Sequence, residues 1–196
     1  RVPRTCNLDL VLHDGDLTVG ALDGRVSVRT DSGAIFTGEM AGPLTLESRR
    51  GDVSVTACRG ELMITAKSGN VTVGRVSGPT VISASGGLVE VQSVRGKLRI
   101  DADGADIRAG FAHPCLESAE LRAAGGDVAA IFDLRDAFTL KARSSRFGQV
   151  SVKNLSLAVA SGKPGTSSVV GTLNGGGPLV EIESSGGNVR LIGREP

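Results

Sequence analysis

The chain of 196 residues is 40% hydrophobic and carries 22 basic and 21 acidic residues, for a net charge of +1. The apolar share supports a packed core and excludes a disordered glycine-rich linker, and the balanced charge gives no sign of nucleic acid or another polyanion as partner. Trp and Tyr are absent and Phe numbers five, which argues against an aromatic platform for sugars or bases and suits a core with little room for rings.

The predicted elements begin at Cys6, nine residues before Gly15, with Leu8 and Leu10 facing inward. Ten glycines then follow at nine-residue intervals: Gly15, Gly24, Gly33, Gly42, Gly51, Gly60, Gly69, Gly78, Gly87 and Gly96. The second residue after each runs Leu17, Val26, Ile35, Leu44, Val53, Leu62, Val71, Thr80, Val89, Leu98. The fourth runs Val19, Val28, Thr37, Leu46, Val55, Ile64, Val73, Ile82, Val91, Ile100. Polar or small residues separate them, so the period is two and each segment reads as a short half-buried strand. Each glycine marks a turn in which a left-handed backbone costs it little.

The true repeat is eighteen residues. Two positions before alternate glycines stand Leu22, Met40, Cys58, Val76 and Val94, whereas His13, Asp31, Arg49, Lys67 and Ser85 fill that place in the other half-repeats. One edge of the coil therefore takes a large apolar residue on every rung. The opposite edge is solvated at that place and offers the small residues Thr30, Ser48, Ala66, Ala84 and Ala102 on its inner side. A meander of hairpins predicts no such alternation.

Ala105 continues the series with Ile107 and Ala109 inward, and Phe111-Ala112-His113-Pro114 interrupts it as a three-residue bulge in a turn. The count resumes at Glu117 (Ala119, Leu121 inward) and Gly126 (Val128, Ala130), then one residue late at Asp136 (Phe138, Leu140). Residues 141–176 resist phasing, although Val150-Ser-Val152 and Leu155-Ser-Leu157-Ala-Val159 alternate and Gly162-Lys163-Pro164-Gly165 is a turn. The repeat returns at Pro178 (Val180, Ile182) and Gly187 (Val189, Leu191). The expected fold is all-β: one parallel β-solenoid over residues 1–196, with two short strands per rung and about ten rungs. Its regular rungs span 6–109, its irregular rungs 110–177 and its regular end 178–192.

No stretch is long enough to span a membrane and no signal peptide is visible. The chain opens in mid-pattern at Arg1-Val2-Pro3, as a fragment or mature form would. Cys6, Cys58 and Cys115 are too few and too scattered for a disulfide framework or a zinc site. Cys58 and Cys115 both fall at the apolar edge. His13-Asp14-Gly15-Asp16 puts a histidine beside two acids, and His113 lies in the bulge. The first turn offers the ligand types of a metal site, against the plainer reading of solvated surface. A nucleophile–base arrangement with one of the many serines stays open, but no spacing singles one out, and the Gly-Gly-x-Gly-x-Asp of calcium-binding rolls is missing. Asp16, Asp52, Asn70 and Asp106 stack on one edge and are read as side chains bonding turn amides. No catalytic, cofactor or metal residue is assigned. On the outer faces, Met63 and Val81 are adjacent apolar residues with Phe36 on the opposite sheet, and Glu90 with Arg108 is the sole hint of acid–base chemistry.

Ser68-Gly69-Asn70-Val71-Thr72-Val73, Arg50-Gly51-Asp52-Val53-Ser54-Val55, Ser185-Gly186-Gly187-Asn188-Val189-Arg190-Leu191 and Gly175-Gly176-Gly177-Pro178-Leu179-Val180-Glu181-Ile182 carry a resemblance that covers essentially the whole chain. The sequence resembles the "adhesin" family of bacterial β-solenoids, long catalogued as a domain of unknown function. The resemblance implies an exported or membrane-attached envelope protein without enzymatic activity and brings no catalytic residues. The expected function is a non-enzymatic binding or structural module of the cell envelope, or a secreted one, that meets an unknown protein or cell-surface ligand. It is expected to be a monomer or a weak end-to-end dimer. The alternatives are a polysaccharide hydrolase or lyase working along one solenoid face, and a purely architectural stalk.

Overall fold

The computed structural model describes residues 3–114, 117–145 and 148–195. Among them the chain forms β1 (Leu8–Leu12), β2 (Leu17–Val19), β3 (Val26–Thr30), β4 (Ile35–Met40), β5 (Leu44–Ser48), β6 (Val53–Cys58), β7 (Leu62–Ala66), β8 (Val71–Val76), β9 (Thr80–Ser85) and β10 (Leu88–Val94). There follow β11 (Leu98–Asp103), β12 (Asp106–Phe111), β13 (Ala119–Ala124), β14 (Val128–Asp133), β15 (Phe138–Ser145), β16 (Val150–Lys153), β17 (Ala158–Gly162), β18 (Ser168–Leu173), β19 (Leu179–Ser185) and β20 (Val189–Arg194). No helix of the described residues is long and apolar enough to cross a membrane.

The strands stack in two sheets. Eleven follow the order β1-β3-β5-β7-β9-β11-β13-β19-β15-β18-β17, and nine the order β16-β20-β14-β12-β10-β8-β6-β4-β2. From β1 to β14 this is a parallel β-solenoid of seven consecutive turns, odd strands in one sheet and even strands in the other. Its register is the predicted eighteen residues, as in Val26↔Leu44 and Val53↔Val71. Past Phe111 the offset becomes 21, with Leu98↔Ala119 and Ile107↔Val128, so the interruption inserts three residues and both sheets continue. Just before it the β10–β12 register slips by one residue between Val91 and Val94.

After β14 the chain departs from a simple coil of about ten rungs. β19 pairs in parallel with β13 on one side and β15 on the other, and β20 lies between β14 and β16. The C-terminal turn thus occupies the level next to β13 and β14, and β15 with β16 stacks outside it. β18 and β17 then extend the first sheet antiparallel. The physical reason lies in matching shapes. Val180, Ile182 and Ser184 repeat the inward set Ala119, Leu121 and Ala123, and Gly187-Asn188 seats on the Gly126-Asp127 turn, Asn188 N donating to Asp127 Oδ1 at 2.7 Å. The phasing at Asp136 is corrected as well. Phe138 and Leu140 do face inward, but the residues opposite Val180 and Ile182 are Leu140 and Ala142.

The core is the space between the sheets. The predicted inward residues from Val26 to Ala109 are buried, each aliphatic one worth about 1.5–3 kcal/mol before backbone ordering offsets most of the gain. Leu8, Leu10 and Leu17 are only half-buried because the first rung has a neighbour on one side. The apolar edge is the buried column Leu22, Met40, Cys58, Val76 and Val94. Phe111 takes the next place, opposite Val94, where the sequence put Cys115, which lies outside the described residues. Phe111 stacks on Phe132 at 4.9 Å and 7°, and Phe132 meets Phe138 at 4.4 Å. The core therefore does admit rings, at its edge. On the opposite edge Thr30, Ser48, Ala66, Ala84 and Ala102 are buried as expected.

The glycines answer to two different constraints. Gly51 has φ +126, as the left-handed turn reading requires. Gly60 has no such φ; a Cβ there would lie 2.5 Å from the carbonyl carbon of Gly42 on the preceding rung. Close approach of stacked backbones demands glycine on both edges, as at Gly51 and Gly60, and the left-handed turn adds a second demand on one of them.

Candidate functional site

The turn beside the left-handed glycines carries a polar ladder. Asp16 Oδ1 accepts from Ala34 N at 2.8 Å, Asp52 Oδ1 from Asn70 N at 2.7 Å, and Asn70 Oδ1 from Leu88 N at 3.0 Å. Asp106 Oδ1 likewise accepts from Asp127 N, and Asn188 Oδ1 from Gln149 N. The Asx reading holds, with each side chain bonding the amide one level along rather than its own turn. Through Asp127, Asn188 and Gln149 the ladder runs straight across the inserted C-terminal turn.

His13 turns away from the acids beside it. Its Nδ1 lies 3.0 Å from Asp31 Oδ2, and Arg49 Nη1 lies 3.0 Å from the other oxygen. The His13 hydrogen bond and Arg49 hold the Asp31 carboxyl below its ordinary range against the opposing effect of burial. Asp14, Asp16 and His13 do not converge, and no group of three or more His, Cys, Asp or Glu among the described residues could hold a metal. Glu90 and Arg108 sit opposite each other on adjacent strands and pair at 3.8 Å. Met63 and Val81 are register neighbours on the first sheet, and Phe36 stands exposed on the second. Cys58 is a buried member of the apolar edge; burial pushes its thiol up, opposed by a bond to the Gly60 carbonyl. That is a packing role rather than a nucleophile's.

His113 does have a partner that sequence reasoning missed. Its Nδ1 lies 2.8 Å from Oδ1 of Asp136, whose side chain is fully buried. Next to it the Arg135 guanidinium and amide bond Asp133, holding that carboxyl far below its usual range. Asn174 Nδ2 donates to the carbonyls of Leu134 and Asp136. These contacts tie the bulge, the turn after β14 and the β18–β19 turn together. A histidine oriented by a carboxylate is half of a nucleophile-activating pair. Among the described residues no serine or threonine hydroxyl bonds the His113 ring; the pair fastens the bulge to the turn after β14, and Asn174 adds the β18–β19 turn.

Two concavities among those on the surface follow the edges of the solenoid. One, of about 520 Å³, follows the small-residue edge past Ala66, Ala84 and Ala102. The other, of about 380 Å³, follows the apolar edge, with Met40, Cys58 and Val76 along its floor and Arg59, Arg75 and Arg95 around it. The arginines went unnoticed in the sequence, although Arg59 and Arg95 are two eighteen-residue repeats apart and so share one slot.

No curated protein and no solved structure matches this chain. A family model described as Toastrack DUF4097 matches residues 1–191. The family is uncharacterised, and the match carries a shape rather than an activity or an adhesive role. On that match, spanning nearly all of its length, the chain belongs to the Toastrack DUF4097 family.

Proposed function

We propose that this chain is a non-enzymatic binding or structural module of a bacterial cell envelope. The observation that carries the reading is the use made of its candidate polar residues. His13 bonds Asp31, Glu90 pairs with Arg108, His113 bonds Asp136 and the Asx side chains bond turn amides. Each serves a contact between rungs or turns. What remains for a partner, whether a protein or a cell-surface ligand, is the length of the solenoid's faces and edges. The envelope placement rests on the resemblance to bacterial β-solenoids. The protein acts as a monomer or a weak end-to-end dimer, since Leu8, Leu10 and Leu12 are half-exposed on the first rung and apolar residues elsewhere on the surface are scattered.

The purified protein is to be screened for turnover of cell-wall and plant polysaccharides. The expected result is no product with either the native protein or Glu90→Gln. Turnover by the native protein that Glu90→Gln abolishes overturns the reading in favour of a hydrolase or lyase.

A further inference from the structure

The groove on the apolar edge carries an imbalance that the near-neutral total charge conceals. Arg59, Ser77 and Arg95 follow Cys58, Val76 and Val94 on three successive levels, their amides donating to Met40, Cys58 and Val76. Strands stack about 4.8 Å apart, so Arg59 and Arg95 stand about 10 Å apart with the Ser77 hydroxyl between them. Arg75 lies one column over, opposite Ser93. Two carboxylates reach the same groove, and each already faces another arginine: Glu39 lies 3.8 Å from Arg75, and Asp23 3.8 Å from Arg4. Arg59 and Arg95 make no ion pair among the described residues.

Four arginines against two carboxylates leave a surplus of two positive charges around one concavity. Like charges gathered on adjacent rungs repel one another, and an anion placed among them removes that repulsion. The floor of Met40, Cys58 and Val76 is buried and apolar, which strengthens the field above it. Guanidinium forks and serine hydroxyls are donors only or readily act as donors, and a phosphate group presents several acceptor oxygens with nearly two negative charges at neutral pH.

We infer that this groove is a binding site for a phosphate-bearing ligand, the phosphate lying over Ser77 between Arg59 and Arg95. The site deepens the binding-module reading and rests on it. The phosphate is either free or part of a chain of phosphates running along the levels of the solenoid.

The test is amide NMR of the whole chain, titrated at constant ionic strength with inorganic phosphate in one arm and tripolyphosphate in the other, with sodium chloride as the reference. The expected result is saturable shifts centred on Arg59, Ser77 and Arg95. Saturation by inorganic phosphate identifies the free anion; saturation by tripolyphosphate alone identifies the chain. The double variant Arg59→Gln, Arg95→Gln is expected to weaken binding at least about tenfold, as loss of charged hydrogen bonds does, with an unchanged melting temperature. Arg29→Gln, on the far sheet face, leaves binding unchanged. Shifts spread evenly over all basic residues, no saturation in either arm, or affinity untouched by the double variant overturns the site. The polysaccharide screen is independent of all three outcomes, so the two readings fail separately.

Discussion

The seven turns from β1 to β14 and the segment from β15 to β20 are built from the same kinds of residue, yet they are assembled differently. In the first region every strand pairs with one eighteen or 21 residues away, and the glycine, Asx and apolar-edge columns all advance together. In the second, β19 reaches back to β13, and Leu121 faces Ile182 across 61 residues of sequence. The inserted turn nevertheless obeys the rules of the first region. Ser184 Oγ donates to the Gly126 carbonyl at 2.8 Å and Ser144 Oγ to that of Gly187 at 2.7 Å, so each level is locked to the next whatever its place in the chain. A stacked turn is specified by its shape against its neighbour, and sequence order is only the usual way of delivering that neighbour.

Removing residues 178–196 breaks the comparison most severely. β13 and β14 lose the partners on their outer side, and β15 and β16 lose the turn on which they stack. Hydrogen exchange is expected to show full loss of protection in 138–173 while β3 to β9 stay protected. Protection retained in β15 would mean that it can dock on β13 directly.

Phe132→Ala tests the junction itself. The ring is fully buried between Phe111 and Phe138, and truncation of such a residue costs about 3–5 kcal/mol. Urea unfolding is expected to show that loss. A change under about 1 kcal/mol would show that the aromatic column does not join the regions.

Within the regular turns, Gly51→Val and Thr72→Val sharpen the contrast between turn and outer face. At Gly51 the left-handed backbone and the adjacent Gly33 carbonyl both oppose a side chain, at a cost of about 1–3 kcal/mol or more. Thr72 points outward, and its change is expected to stay within about 0.5 kcal/mol. Equal urea midpoints for the two variants would show that the turn glycines are dispensable.

The first region was legible because its signals are local and repeated. Alternation named the inward residues, and the eighteen-residue asymmetry separated the edge of Met40 and Cys58 from the edge of Ser48 and Ala66. The second was not, because no local pattern says which level a strand will join. One signal did exist: Gly125-Gly126-Asp127-Val128 and Gly186-Gly187-Asn188-Val189 are the same turn written twice, and they prove to be neighbours. The left-handed rationale for the glycines explained only half of them, since close backbone approach at Gly60 leaves no trace in a strand pattern. His113 could be picked out, but Asp136 could not be matched to it across 23 residues of bulge and irregular turn. Arg59 and Arg95 were within reach of the repeat count, and the balanced total charge masked them.

The insertion of β19 and β20 also sets a timetable. As the polypeptide leaves the ribosome, β1 to β14 can stack one after another, each new rung finding its support already in place. β15 and β16 then emerge before the turn that carries them has been made. Until residues 179–194 have been synthesised, the outer face of the seventh rung stays open, with its strand edges and apolar interior exposed. A nascent chain stalled in this interval displays a sticky surface that β19 and β20 later hide, so delivery of that one turn and concealment of the surface become a single event.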